Sequence, residues 1–153
     1  MSHFDIARST TIRATPTRVH ALVNDFHEWP AWSPWEDVDP ALQRTYSGPD
    51  SGVGAHYAWS GNRRAGSGSM EITSSTPDEI DLRLSFLKPW KATNDVTFTL
   101  VPAGDGTEVT WRMTGEQKGA AAVFGKVFNM DRLLGKDFEK GLARLKAVSE
   151  ADE

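Results

Sequence analysis

The sequence predicts a single α+β domain over residues 1–153, an antiparallel sheet of about six to seven strands wrapped around a long C-terminal helix, with two short helices after the first strand. Three observations carry this reading. Between residues 41 and 113 apolar side chains alternate with polar ones in segments separated by Gly, Pro, Asn and Asp, the pattern of strands with one covered and one wet face. No helical period interrupts that region, and a sustained one begins only at about Gly119. Finally, 153 residues with 39% apolar side chains, six Trp and seven Phe suit one core rather than two, since a chain of this size buries roughly 68–70% of its unfolded surface around a single interior.

Each element follows in order. Phe4, Ile6, Arg8, Thr10 and Ile12 alternate as a first strand. Thr15 can cap a helix that Pro16 opens, and Val19, Leu22, Val23 and Phe26 give it an apolar stripe. From Trp29 to Pro40 three prolines allow at most one further helical turn, so an irregular segment anchored by aromatic rings is expected. Ala41 to Tyr46 reads as a strand, Ser47 to Gly52 as a turn, and Val53 to Ser60 as a strand with Val53, Ala55, Tyr57 and Trp59 on one face. Gly66 to Ser75 follows with Met70 and Ile72 on one face. The rows Ile80–Leu82–Leu84–Phe86, Val96–Phe98–Leu100 and Val109–Trp111–Met113 complete an antiparallel meander whose apolar side needs a cover. At about 100° per residue, Val123, Val127, Met130, Leu134, Phe138, Gly141, Leu145 and Val148 fall in one arc, with Lys136, Glu139 and Lys140 opposite. That amphipathic helix is the cover. Gly141 sits mid-stripe, where Gly costs roughly 1 kcal/mol relative to Ala, so a close approach to a bulky neighbour such as Trp111, or room for a ligand, is expected there.

Several function classes drop out. The formal net charge of −4 argues against nucleic acid as a partner. Without Cys there is no disulfide framework, thiolate nucleophile or Cys-ligated zinc. The Met-Ser-His-Phe-Asp-Ile start lacks a basic region followed by an apolar one, and the longest apolar run is Ala120 to Phe124, so a cytoplasmic protein without membrane insertion is expected. His20, His27 and His56 are too scattered for a zinc set, and His56 should point away from Tyr57 and Trp59, so no metal and no cofactor are expected. No G-x-S-x-G elbow occurs, and the G-x-G matches at Gly52 and Gly66 precede no helix. Glu36, Asp37 and Asp39 read most simply as a solvated loop.

Particular stretches are similar to a known family: Trp32-Ser33-Pro34-Trp35, Tyr46-Ser47-Gly48-Pro49, Gly52-Val53-Gly54-Ala55, Tyr57-Ala58-Trp59, Gly66-Ser67-Gly68-Ser69-Met70, Phe86-Leu87-Lys88-Pro89, and the run from Gly135 to Leu142. In this order of elements the chain resembles the START-like, birch-pollen-allergen-like superfamily also called SRPBCC, in its polyketide cyclase/dehydrase branch. The resemblance implies the helix-grip fold, with a deep apolar cavity between sheet and helix, and an apolar small molecule (a lipid, polyketide or similar) as partner. It does not identify a reaction, because the superfamily includes aromatases, lipid carriers, quinone-binding proteins and chaperone activators.

Row parity and the resemblance together nominate a ligand-binding set: Trp32, Trp35, Tyr57, Trp59, Met70, Leu84, Phe86, Asn94, Phe98 and Trp111, with Phe124, Met130 and Leu134 from the helix. The Trp residues bring large apolar area and one N–H each; Trp29 and Trp111 read equally well as core. Asn94 shares parity with Val96 and Phe98, so its amide is either wetted at an edge near Pro89-Trp90 or hydrogen-bonds a ligand. Non-catalytic binding by a monomer or weak homodimer is the leading reading. A cyclase, aromatase or dehydratase moving a proton through Tyr57, Asn94 or Asp131 is a second, and an interaction module similar to chaperone activators, which would need an exposed apolar patch, a third.

Overall fold

The computed structural model describes residues 2–34, 41–61, 66–88, 92–117 and 130–151, with the side chains of all but 2–4, 88, 92, 116, 117 and 130–134. Strand β1 (Ser2–Ile12) leads into helix α1 (Pro16–Val23) and a 3-10 helix (Phe26–Ala31), after which β2 (Gln43–Ser47), β3 (His56–Ser60), β4 (Ser67–Thr76), β5 (Glu79–Lys88), β6 (Ala92–Ala103) and β7 (Gly106–Gln117) precede helix α2 (Met130–Ala151). The seven strands form one antiparallel sheet in the order β1-β7-β6-β5-β4-β3-β2. The meander runs from β2 to β7, and β1 closes onto β7.

Local chemistry sets the first helices. Thr15 is extended and its Oγ1 accepts from the Arg18 N–H at 3.2 Å, while Pro16 opens α1 without needing a donor. The far end of α1 leaves carbonyls without intrahelical partners, and two indoles supply donors: Trp32 Nε1 to the Leu22 carbonyl at 3.0 Å and Trp29 Nε1 to the Val23 carbonyl at 2.9 Å. Asp25 caps the 3-10 helix through the His27 N–H at 2.9 Å.

Strand β3 begins at His56, later than the expected Val53, which is 57% exposed. Gly52 (φ 76°) and Gly54 (φ 94°) adopt left-handed backbone that no strand contains. The Ala55 N–H closes this turn on the Gly52 carbonyl at 3.0 Å. The buried row therefore starts at Ala55.

Helix α2 packs on β1, α1, β7 and the 3-10 helix. From residue 135 on its stripe is the expected one, with Phe138, Gly141, Leu142 and Leu145 buried and Lys136, Glu139 and Lys140 exposed, while the expected start near Gly119, with Val123 and Val127, lies outside the described residues. A Cβ on Gly141 would stand 2.8 Å from Trp111 Cζ3 and 2.9 Å from Pro34 Cδ. The missing side chain lets the helix lie directly on that indole. Polar ties flank the contact: Arg8 Nε to Glu139 at 2.9 Å, Arg144 Nη1 to the Ser33 carbonyl at 2.9 Å, Lys146 Nζ to the Thr11 carbonyl at 2.9 Å, and the Arg13 N–H to the Glu150 carboxylate at 2.9 Å.

Candidate functional site on the inner face of the sheet

Strand register arranges the inner face, the one the helices cover, into cross-strand rows, four of which span the nominated sheet residues. One row is Ile80–Phe98–Trp111–Arg8, and the next Ile72–Leu82–Val96–Met113–Ile6. The third runs Tyr46–Tyr57–Met70–Leu84–Asn94–Gly115, and the fourth Trp59–Gly68–Phe86. Side chains opposite one another in such rows are in contact range, so the rows define which residues a molecule lying on the sheet could touch together.

The first row's end is filled by the protein itself. Trp32, fully buried, meets Trp111 at 5.7 Å and 80° and Phe98 at 5.9 Å and 83° between ring centroids, and Trp111 stacks on Phe138 at 4.3 Å and 8°. Arrangements of this kind, edge-to-face or stacked, are the favoured aromatic geometries. Arg8 is the charged member of that row, and its guanidinium lies against Gly135 and pairs with Glu139.

The other end differs. Tyr57 follows Tyr46 at 5.3 Å and stacks with Trp59 at 6.2 Å, and Trp59 meets Phe86 edge-on at 5.8 Å and 87°. Trp59 and Phe86 are only half-buried. A Cβ on Gly68 would stand 2.7 Å from Trp59 Cη2, so the glycine is what allows the indole to lie flat across the sheet.

Of the nominated residues, Tyr57, Trp59, Met70, Leu84, Phe86 and Asn94 come together in two adjacent rows. Trp32, Phe98 and Trp111 form a separate group under α2. Trp35 and Phe124 lie outside the described residues, as do the side chains of Met130, Asp131 and Leu134 on α2. Asn94 is not at a wetted edge. It stands on β6, between β5 and β7, and is 5% exposed, and its Oδ1 has no hydrogen-bond partner among the described residues. A buried acceptor left unpaired costs about 1–3 kcal/mol.

Tyr46 and His27 were not legible as site residues. The His27 ring stacks on Tyr46 at 4.2 Å and 21°, held by Asp25 Oδ1 at 2.8 Å from Nδ1. With Phe26, Ser47 and His56 they border a cleft of about 110 Å³ at the β2 end of the third row. The available signal was the parity of Tyr46 with Tyr57, which becomes a contact only once the β2–β3 register is known. His56 Nδ1 lies 3.3 Å from Ser47 Oγ.

Among the described residues, the titratable groups displaced from their ordinary range lie off these rows. A hydrogen bond from Arg112 holds the Asp5 carboxyl low and keeps Arg112 high in return, the Arg13 N–H and then Lys146 hold Glu150 low, and the Asp81 charge pushes Glu79 up. Among the described residues no three His, Asp or Glu side chains converge as a metal site, and no helix is long and apolar enough to cross a membrane.

A seven-stranded antiparallel sheet gripping a C-terminal helix, with an aromatic inner face, defines a START-like helix-grip protein. The chain belongs to the family described as polyketide cyclase / dehydrase and lipid transport, whose model matches residues 3–150. Solved structures share the fold. The chain is 17% identical to the protein KanY, with 98% of this chain and 99% of that one covered and a TM-score of 0.72. A protein from Nitrosospira multiformis is 18% identical, with 98% and 100% covered and a TM-score of 0.68. Ara h 8.0201 is 13% identical, with 98% and 99% covered and a TM-score of 0.68. No curated protein matches the chain in sequence.

Proposed function

We propose that this protein binds an apolar small molecule between the inner face of the sheet and the C-terminal helix, as a non-catalytic cytoplasmic carrier or receptor that is monomeric or weakly dimeric. The observation that carries this reading is the aromatic shelf Tyr57–Trp59–Phe86. Its outer two rings are half-buried, although the same sheet packs Trp32, Phe98 and Trp111 away from water completely. Half-covered rings beside fully buried ones are surface that a ligand removes from water, at roughly 25 cal/mol per Å². The family description, which includes lipid transport, supports the same class of ligand.

Binding without chemistry is favoured over a cyclase or dehydratase because the perturbed acids Asp5, Glu79 and Glu150 stand away from the shelf, leaving no tuned proton donor or base on its described residues. In this reading Met70 and Leu84 form the floor, and Trp35, Phe124, Met130 and Leu134 are further wall residues. Native mass spectrometry of the purified protein tests it, with a co-purified apolar mass that a Trp59→Ala, Phe86→Ala double variant no longer retains as the expected result. A parent protein that carries no such mass and does not bind Nile red refutes it.

A further inference from the structure

The third row is aromatic or aliphatic through Tyr46, Tyr57, Met70 and Leu84, and then meets an amide at Asn94. That amide sits in the middle of the sheet, nineteen-twentieths buried, with an acceptor oxygen that no described group satisfies. Leucine or valine would fill the position as Leu84 and Val96 fill the neighbouring ones. The adjoining residue across β7 is Gly115, which adds no side chain that could reach over to the oxygen. Phe86 is the diagonal neighbour of Asn94, since Leu84 is its direct partner, and diagonal neighbours stand roughly 7–8 Å apart. A hydrogen-bonding side chain and an aromatic platform are thus diagonal neighbours on one face.

Resting on the binding reading above, we infer that Asn94 is the polar anchor of the bound molecule, and that the natural ligand is an apolar ring compound bearing a hydroxyl or N–H donor. Oδ1 accepts and cannot donate. A donor on the ligand satisfies it, whereas a plain hydrocarbon leaves it orphaned and a carboxylate must bring its charge out of water onto an apolar face. A phenol or ring alcohol, with its rings on Phe86 and Trp59 and its hydroxyl toward β6, meets every feature of this surface at once.

The test compares naphthalene, β-naphthol and β-naphthoate on the whole chain. In the parent, β-naphthol should bind more tightly than β-naphthoate. The ratio of the naphthalene to the β-naphthol dissociation constant should fall about five- to tenfold in Asn94→Leu and in Asn94→Ala, the worth of one hydrogen bond, while naphthalene itself binds Asn94→Leu at least as well as the parent. Ligand-free Asn94→Leu should melt no lower than the parent, because the oxygen has no work to do in the empty protein. An unchanged ratio with both probes bound overturns the anchor and leaves the binding site standing, as does an Asn94→Leu chain that melts several degrees lower. Parent protein that binds none of the three probes overturns the binding reading itself.

Discussion

At Gly141 the usual rule for glycine in a helix reverses. Alanine favours a helix interior by about 1 kcal/mol, but here its Cβ would press on Trp111 Cζ3 at 2.8 Å and Pro34 Cδ at 2.9 Å, ring atoms that have no flexible end to swing away. Gly141→Ala is expected to melt below the parent, and Gly141→Leu lower still, by overpacking of roughly 1–3 kcal/mol. The atoms nearest a Cβ on Gly135, on the same helix, belong to the Arg8 guanidinium, which can move, and the exposed Glu139 that pairs with Arg8 makes that ion pair worth less than about 1 kcal/mol. Gly135→Ala should therefore melt at or above the parent, and paired thermal scans decide both cases. The two tryptophans at opposite ends of the inner face, Trp32 and Trp59, separate in the same way. Trp32→Ala empties a fully buried site and frees the Leu22 carbonyl, a loss of roughly 3–5 kcal/mol in denaturant titrations, whereas Trp59→Ala should cost less than half of that and instead abolish most Nile red binding. Sequence spacing alone put both among the candidate lining residues. It could not separate them, because the indole N–H of Trp32 is committed to a carbonyl ten residues earlier whose position depends on how α1 ends.

Helix α2 depends on charge as well as on its apolar stripe. Glu150 accepts from the Arg13 N–H and from Lys146, which holds its carboxyl below the ordinary glutamate range. A carboxyl whose pKa is lower folded than unfolded contributes stability that is fully present above the unfolded value and is lost as pH falls through the folded one. The melting temperature should consequently drop on acidification below about pH 4 to 5, Asp5 beside Arg112 adding to the same trend. Glu150→Gln should melt slightly lower at neutral pH and show a flatter acid limb, and an unaltered limb would mean that the tether is not formed in solution. Glu79 acts with the opposite sign, because Asp81 raises its pKa: the stability it contributes is present below the unfolded value and is lost as pH rises through the folded one. Elements were the most legible level. Alternation located all seven strands, and the 3.6-residue period located α2 over its described residues, Met130–Ala151. The failure at Val53 has a local cause, since two glycines with positive φ delay β3 to His56, and glycine spacing alone does not reveal which backbone region each one takes.

Across the whole molecule, the fold could be read because one-sided alternation and a single amphipathic helix admit few closed arrangements. The site was readable only in part. Parity assigns side chains to a face, but the rows that join Tyr57 to Asn94 exist only through strand register, which depends on turns and on the irregularities of β4 against β5 near Gly68 and Ile72. Those rows also divide labour along the sheet. The Trp32–Trp111–Phe138 end, clamped by α2 onto β1 and α1, is sealed from water, and at the other end Trp59 and Phe86 pack against the same core while staying half-buried. Water is thus kept from one end of the inner face by the chain's own rings, whereas at the other end the edges of Trp59 and Phe86 remain within its reach.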